Sequence, residues 1–146
     1  MNLFRGPSEL RSRDLLTACD LPTADLTPQH FDHFLGWGTA DQLEGIVGVE
    51  LFGIDALLRS LAVVTAARGK GVGKALVVGA EQYAQQNNVQ TLYLLTNTAV
   101  PFFTRLGYAT VSRTTAPEAI QRTPEFSNLC PDSTTFMMKA LGPNSG

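Results

Sequence analysis

The chain has 146 residues, 44% of them hydrophobic and 16% charged, with 11 Lys and Arg against 13 Asp and Glu and a formal net charge of −2. This is the length and composition of a single globular domain over residues 1–146, and the slight acidic excess argues against a nucleic-acid or membrane-surface binder, which carries a basic surplus. Cys19 and Cys130 are too few and too far apart for a disulfide framework, no apolar run nears the roughly 18 residues of a membrane span, and the charged amino terminus is unlike a signal peptide, so a cytoplasmic protein is expected.

In chain order, Ser8 followed by Leu10, Leu15, Leu16 and Ala18, with Pro22 beyond, predicts a capped first helix. Thr27 and Pro28 open a second, short helix in TPQHFDHFLGWG that the glycines end. The period then changes: GIVGVELF and ALLRSLAVV are β-branched and leucine-rich runs around GID, the spacing of an antiparallel hairpin. After RGKGVGK, Leu76, Ala80, Tyr83 and Ala84 share one helical face, and NN ends that helix. VQTLYLLT reads as a buried strand, AVPFFTRLG as a short helix stopped by Gly107, and YATVSR as a further strand. Residues 114–133 are rich in Thr, Pro, Glu and Ser around a helical turn at PEAIQRT, and STTFMMKAL supplies the last strand. The order defines an α/β class, a mixed sheet flanked by helices.

The loop RGKGVGK stands between a strand and a helix, where free N–H groups and the helix dipole attract anions. A nucleotide-hydrolysing P-loop needs G-x-x-x-x-G-K-[ST], but Arg68 stands five residues before Gly73, and Lys74 is followed by Ala75. A dinucleotide fingerprint needs G-x-G-x-x-G, whereas Gly69, Gly71 and Gly73 run G-x-G-x-G, and no acid near position 93 is present for a ribose. What remains is R-x-x-G-x-G, filled by Arg68, Gly71 and Gly73.

With this loop, the strand LLRSLAVV before it, LYLLTN after its helix, and AVPFFTRLGY in place of A-x-x-F-Y-x-x-x-G-[FY], most of the chain resembles the GNAT acetyltransferase superfamily. ALLRSLAV, LYLLTNTA and EFSNLCP further resemble a branch associated with arsenic-resistance operons. The resemblance implies a mostly antiparallel twisted sheet with an acetyl-CoA cleft between two splayed central strands. It implies that Arg68, Gly69, Lys70, Gly71, Val72, Gly73 and Lys74 wrap the pyrophosphate, that Leu61, Ala62 and Val63 pair with the pantetheine arm, that the Asn97 amide meets the cofactor, and that the helix of Phe102 and Phe103 lies beside the thiol end. Chemistry agrees: three glycines open backbone N–H groups to phosphate oxygens, and Arg68, Lys70 and Lys74 form a local cation cluster. The family tyrosine that protonates the departing thiolate falls at Phe103, which cannot be an acid, so that role passes to water or to a hydroxyl of Thr96, Thr98 or Tyr108.

The reaction implied is attack of an amine on the acetyl thioester. The amine must lose a proton, so an acid beside the cofactor strand is sought; Glu50, interrupting an apolar strand, is the candidate base, with a solvated edge glutamate as the alternative. Arg59, a cation inside an apolar strand, is the candidate receptor for an anionic acceptor group, with Arg113, Arg122, Glu125 and Phe126 on the acceptor side. His30 and His33, three residues apart without a third ligand, are expected as surface or half-buried side chains, and no metal is expected. The expected acceptor is the primary amine of a small molecule, with an amino-acid-like toxic compound as the finer reading and a homodimer as one allowed assembly. The rivals are an acyl-CoA-binding sensor and a protein N-acetyltransferase.

Overall fold

The computed structural model describes residues 3–142 except 22, 40, 124, 125 and 127–133. The strands form a seven-stranded sheet in the order β1-β2-β3-β4-β5-β7-β6, antiparallel at β1–β2, β2–β3, β5–β7 and β6–β7 and parallel at β4–β5. This is the mixed, mostly antiparallel sheet flanked by helices that the sequence predicts. Among the described residues no helix is long and apolar enough to cross a membrane. The chain divides into two compact units, Met1–Glu50 with Leu58–Tyr83, and Leu51–Leu57 with Ala84–Gly146.

The first unit begins with β1 (Leu3–Arg5) and α1 (Glu9–Ala18), whose cap is Ser8, its hydroxyl accepting from the Arg11 N–H at 3.2 Å. Leu15 and Leu16 of α1 are buried with Leu26, Phe31, Phe34, Ile46 and Ala62, whereas Leu10 is 72% exposed. Leu10 counts among the apolar residues of this helix in the sequence, but at about 100° per residue it stands about 140° from Leu15 and points away from that core. Pro22 lies outside the described residues.

The second helix of the sequence reading is replaced. Thr27 and Pro28 do open a helical turn, but it is a 3-10 segment, Pro28–His33, and the chain then extends as β2 (Phe34–Gly38), pairing Phe34 with Gly48 and Leu35 with Val47 of β3 (Leu43–Phe52). The glycines taken as helix breakers make room for neighbours: a Cβ on Gly36 would stand 2.8 Å from both Leu43 Cδ1 and Phe4 Cζ. The hairpin around GID forms as expected, β3 passing into β4 (Asp55–Val63) through a turn at residues 53–54. A 3-10 turn, Thr65–Ala67, leads to the glycine loop and to α2 (Val72–Gln86).

In the second unit, β4 starts in parallel register with β5 (Thr91–Thr96), Asp55 with Thr91 and Leu57 with Tyr93. β5 pairs along its length with β7 (Thr135–Ala140), from Thr91 with Ala140 to Thr96 with Thr135. α3 (Val100–Arg105) and α4 (Glu118–Gln121) match the two short helical readings. The strand read from YATVSR contracts to β6 (Ala109–Thr110), because the Ser112 hydroxyl accepts from the Thr114 N–H at 3.3 Å and caps a 3-10 turn, Arg113–Thr115. The core here is Leu57, Tyr93, Ala116, Ile120 and Phe136, with Phe126 packed against it.

Candidate functional site

The loop of the R-x-x-G-x-G pattern lies wholly in the first unit. Gly69 and Gly71 both take a left-handed backbone with φ of 79°, and a Cβ on either would meet nothing within 4 Å. The conformation asks for glycine and the space above the loop is open. Arg68, Lys70 and Lys74 are exposed around it, and α2 begins at Val72 with no acid in its first turn. The first helical hydrogen bond of that turn runs from the Ala75 N–H to Gly71 O at 3.0 Å, so the N–H groups of Val72, Gly73 and Lys74 stand at the helix's positive end. Arg68 also reaches back: its Nε donates to Val63 O at 3.0 Å, joining the loop to the end of β4. On that strand Ala62 is buried while Leu61 and Val63 are half-buried.

Two further sequence-predicted residues come together in the same unit. Arg59 Nη1 donates to Glu50 Oε1 at 2.7 Å and to Asp25 Oδ2 at 2.5 Å, and Nη2 donates to Asp25 Oδ1 at 2.9 Å. The Arg59 side chain is fully buried, and those of Asp25 and Glu50 are 5% and 10% exposed. Glu50 is therefore not a solvated edge acid, and Arg59 is not an open receptor: its guanidinium is already engaged by two carboxylates. Burial pushes the Asp25 carboxyl up, but the hydrogen bonds and charge of Arg59 outweigh it and hold the group below the ordinary aspartate value.

His30 joins this cluster, its Nε2 standing 3.5 Å from Glu50 Oε1. The ligand-type atoms of Asp25, His30 and Glu50 all lie within 4.8 Å of one another, and the cation among them is the Arg59 guanidinium. His33 goes elsewhere, with Nδ1 2.5 Å from the Tyr83 hydroxyl. Burial raises the Tyr83 phenol above its ordinary value, with Arg5 lowering it and Asp32 raising it by smaller amounts.

Asp25 and Ser60 are the two members of the site that the sequence reading missed. Asp25 sits in a Thr- and Pro-containing loop with no local signal, yet a buried arginine in a strand already asks for acids, and Glu50 alone leaves part of its fork unfilled. The loop is held by Arg13, which donates to Leu26 O at 2.7 Å and to Thr23 O at 3.3 Å. Ser60 has a left-handed backbone, φ 60°, in the middle of β4, where a non-glycine residue is strained. Its hydroxyl accepts from Arg59 Nε at 3.2 Å.

The remaining expected residues belong to the second unit. Asn97 is exposed after β5, and Phe102 is half-buried on α3. Phe103 is 5% exposed and packs edge-on against Tyr108 with ring centroids 5.5 Å apart, so it is a core residue there. The Thr96 hydroxyl accepts from the Ala99 N–H at 3.1 Å before α3. Arg113 is tied to Thr134 Oγ1 at 2.8 Å and Phe126 O at 2.9 Å and lies over the Phe126 ring. Arg122 pairs with Glu118 at the surface. Glu125 and Cys130 lie outside the described residues.

The fold and the loop together define an acetyltransferase-type domain, and the comparisons agree. The model of the GNAT acetyltransferase domain matches residues 32–110, and the chain belongs to that family. An uncharacterised N-acetyltransferase of Chlorobaculum tepidum is 30% identical over 95 residues, 64% of this chain and 61% of that protein. The N-acetylglutamate synthase of Neisseria gonorrhoeae, solved with coenzyme A and N-acetyl-glutamate, superposes with a TM-score of 0.83 at 16% identity, over 96% of this chain and 35% of that one. Mycobacterium tuberculosis Rv2747, solved with CoA and NLQ, gives 0.76 at 18% identity over 94% of this chain and 98% of that one. The chain thus spans less than two thirds of the curated relative and about a third of the synthase.

Proposed function

We propose that this chain, as one acetyltransferase domain over residues 1–146, binds acetyl-CoA at the glycine loop and transfers the acetyl group to the primary amine of a small molecule. The observation that carries the reading is the pair Gly69 and Gly71, both left-handed and with open space where a Cβ would stand, at the start of a 15-residue helix and among three exposed cations. The CoA held in the N. gonorrhoeae and M. tuberculosis neighbours supports the same cofactor. Arg68 and Lys70 with the N–H groups of Val72, Gly73 and Lys74 meet the pyrophosphate, and Leu61, Ala62 and Val63 receive the pantetheine arm. The setting is a cytoplasmic one, where acetyl-CoA is available.

In the reaction the amine nitrogen attacks the thioester carbon, the carbon–sulfur bond breaks, and the amine's proton goes to Glu50. CoA leaves as a thiolate, whose acid has a pKa near 8.5 like a free thiol, and solvent supplies its proton. Arg59 holds Glu50, so it is not the group that meets an acceptor carboxylate. An amino-acid-like acceptor retains support from N-acetyl-glutamate in the N. gonorrhoeae neighbour and from the resemblance to the arsenic-operon branch.

A second reading, an acyl-CoA-binding sensor, is favoured by Phe103, which replaces the family acid and sits in the core. Thiol release from acetyl-CoA across free amino acids, uncharged amines of similar size and lysine-containing peptides separates the readings. Release with small amines supports the proposal, release with peptides alone indicates a protein modifier, and tight acetyl-CoA binding with no release indicates a sensor.

A further inference from the structure

A groove of about 400 Å³ runs between α2 and the β1–β2 pair, wholly within the first unit. Leu3 and Trp37 are register partners across β1 and β2, so their side chains share one face of the sheet. That face is turned to α2: a Cβ on Gly79 would stand 2.6 Å from Leu3 Cδ2, and the missing side chain lets the strand lie close to the helix. Leu3 and Trp37 are half-buried and Val78 is 38% exposed, so the apolar lining is open to solvent.

The ends of the groove are polar. Lys74, Val78 and Gln82 follow at four-residue intervals along one face of α2, which sets the Lys74 and Gln82 backbone positions about 12 Å apart. Among the described residues the Trp37 indole N–H, the Lys74 ammonium and the Gln82 amide have no hydrogen-bond or ionic partner. Three donors around an apolar floor ask for an occupant with an apolar body and acceptors at its edge. The single cation stands at the positive end of the helix, where one carboxylate fits; a multiply charged phosphate has the three-cation loop instead. An indole beside the floor favours a ring over an alkyl chain.

We infer that this groove is a second binding site, for a small aromatic carboxylate whose acid group meets Lys74 and whose ring lies along Trp37 and Val78. Gly71 and Lys74 belong both to the groove and to the glycine loop, so an anion seated here opposes the cofactor's pyrophosphate, and each ligand weakens the other equally. The antagonism rests on the reading of the loop given above; the site itself does not.

Trp37 is the chain's only tryptophan, so its indole N–H gives one identifiable signal in NMR spectra of 15N-labelled protein. Titrated with 2-naphthoate, that signal should move saturably with a Kd below about 1 mM. Neutral 2-naphthalenemethanol and the ring-saturated decalin-2-carboxylate should each bind at least about fivefold more weakly. Val78→Asp sets a like charge in the middle of the groove and should abolish the shift; if it does not fold, Gln82→Glu, at an exposed position, should weaken binding about fivefold. No saturable shift, equal affinity for the three probes, or parental binding by the folded variant overturns the inference. A dimer in sedimentation that protects Trp37 gives the groove to a second copy and overturns it too, as does an identical shift with acetyl-CoA alone, which would give it to the cofactor. Calorimetry of acetyl-CoA with and without saturating 2-naphthoate judges the antagonism: about a threefold or greater loss of affinity is expected, and unchanged affinity removes it. Failure of acetyl-CoA to bind at all, with the naphthoate shift intact, defeats the loop reading and leaves the groove standing.

Discussion

Arg68 Nε donates to Val63 O at 3.0 Å, so the first residue of the glycine loop is fastened to the last residue of β4. One side chain thereby links the strand assigned to the pantetheine arm with the loop assigned to the pyrophosphate. Arg68→Ala removes both a cation and this tie, and acetyl-CoA affinity should fall about tenfold, or about 1.4 kcal/mol. Arg68→Lys restores the charge without the planar fork and should recover only part of it. Calorimetry at two salt concentrations checks this, since an exposed cation should matter less at high salt.

Asp25 gives a pH signature in stability. Its carboxyl is held below the ordinary aspartate value, so its contribution is fully present above the unfolded value of about 4 and is lost as pH falls through the lower folded one. Asp25→Asn should therefore lower the melting temperature clearly at pH 7, where breaking a buried pair costs about 3 kcal/mol. The gap to the parent should narrow below about pH 4. Thermal melts of both proteins from pH 7 to pH 3 measure it; a gap that stays constant contradicts the assignment.

On the proposed mechanism, Glu50→Gln should lower kcat at least about tenfold while acetyl-CoA affinity stays within about twofold, because it would remove the proton acceptor and leave the loop untouched. Single-turnover rates and calorimetry on the same preparation separate the two quantities.

Phe103→Tyr restores the family residue at a position that is 5% exposed and packed against Tyr108. The added hydroxyl enters a core, where an unpaired polar group costs about 1–3 kcal/mol. A fall in melting temperature with little gain in thiol release is expected; a large gain at unchanged stability would mean that the new hydroxyl is available as the missing acid.

The elements with a strong period were legible in the sequence: the hairpin around GID, the α2 face, the buried β5 and the closing β7 all form where the patterns put them. The left-handed turn of the glycine loop was legible because that backbone conformation favours glycine. β1 was not, since three residues at an edge carry no period, and β2 was hidden because FLGWG uses glycines to admit Phe4 and Leu43, which local reading takes as helix breaking. Glu50 and Arg59 were each singled out as charges inside apolar strands and were given separate roles. Their pairing is a tertiary fact, and so is Asp25, which reaches Arg59 across 34 residues of sequence.

The central claim is that the left-handed glycine loop holds the pyrophosphate of acetyl-CoA, and Gly71 tests it most directly. Asp and Asn both tolerate the φ of 79° better than other side chains do, so the pair Gly71→Asp and Gly71→Asn differs chiefly in charge. Acetyl-CoA titrated into both variants and the parent should bind Gly71→Asp at least about tenfold more weakly than Gly71→Asn, a difference of about 1.4 kcal/mol or more. Equal affinity of folded Gly71→Asp, Gly71→Asn and parent protein would contradict the account.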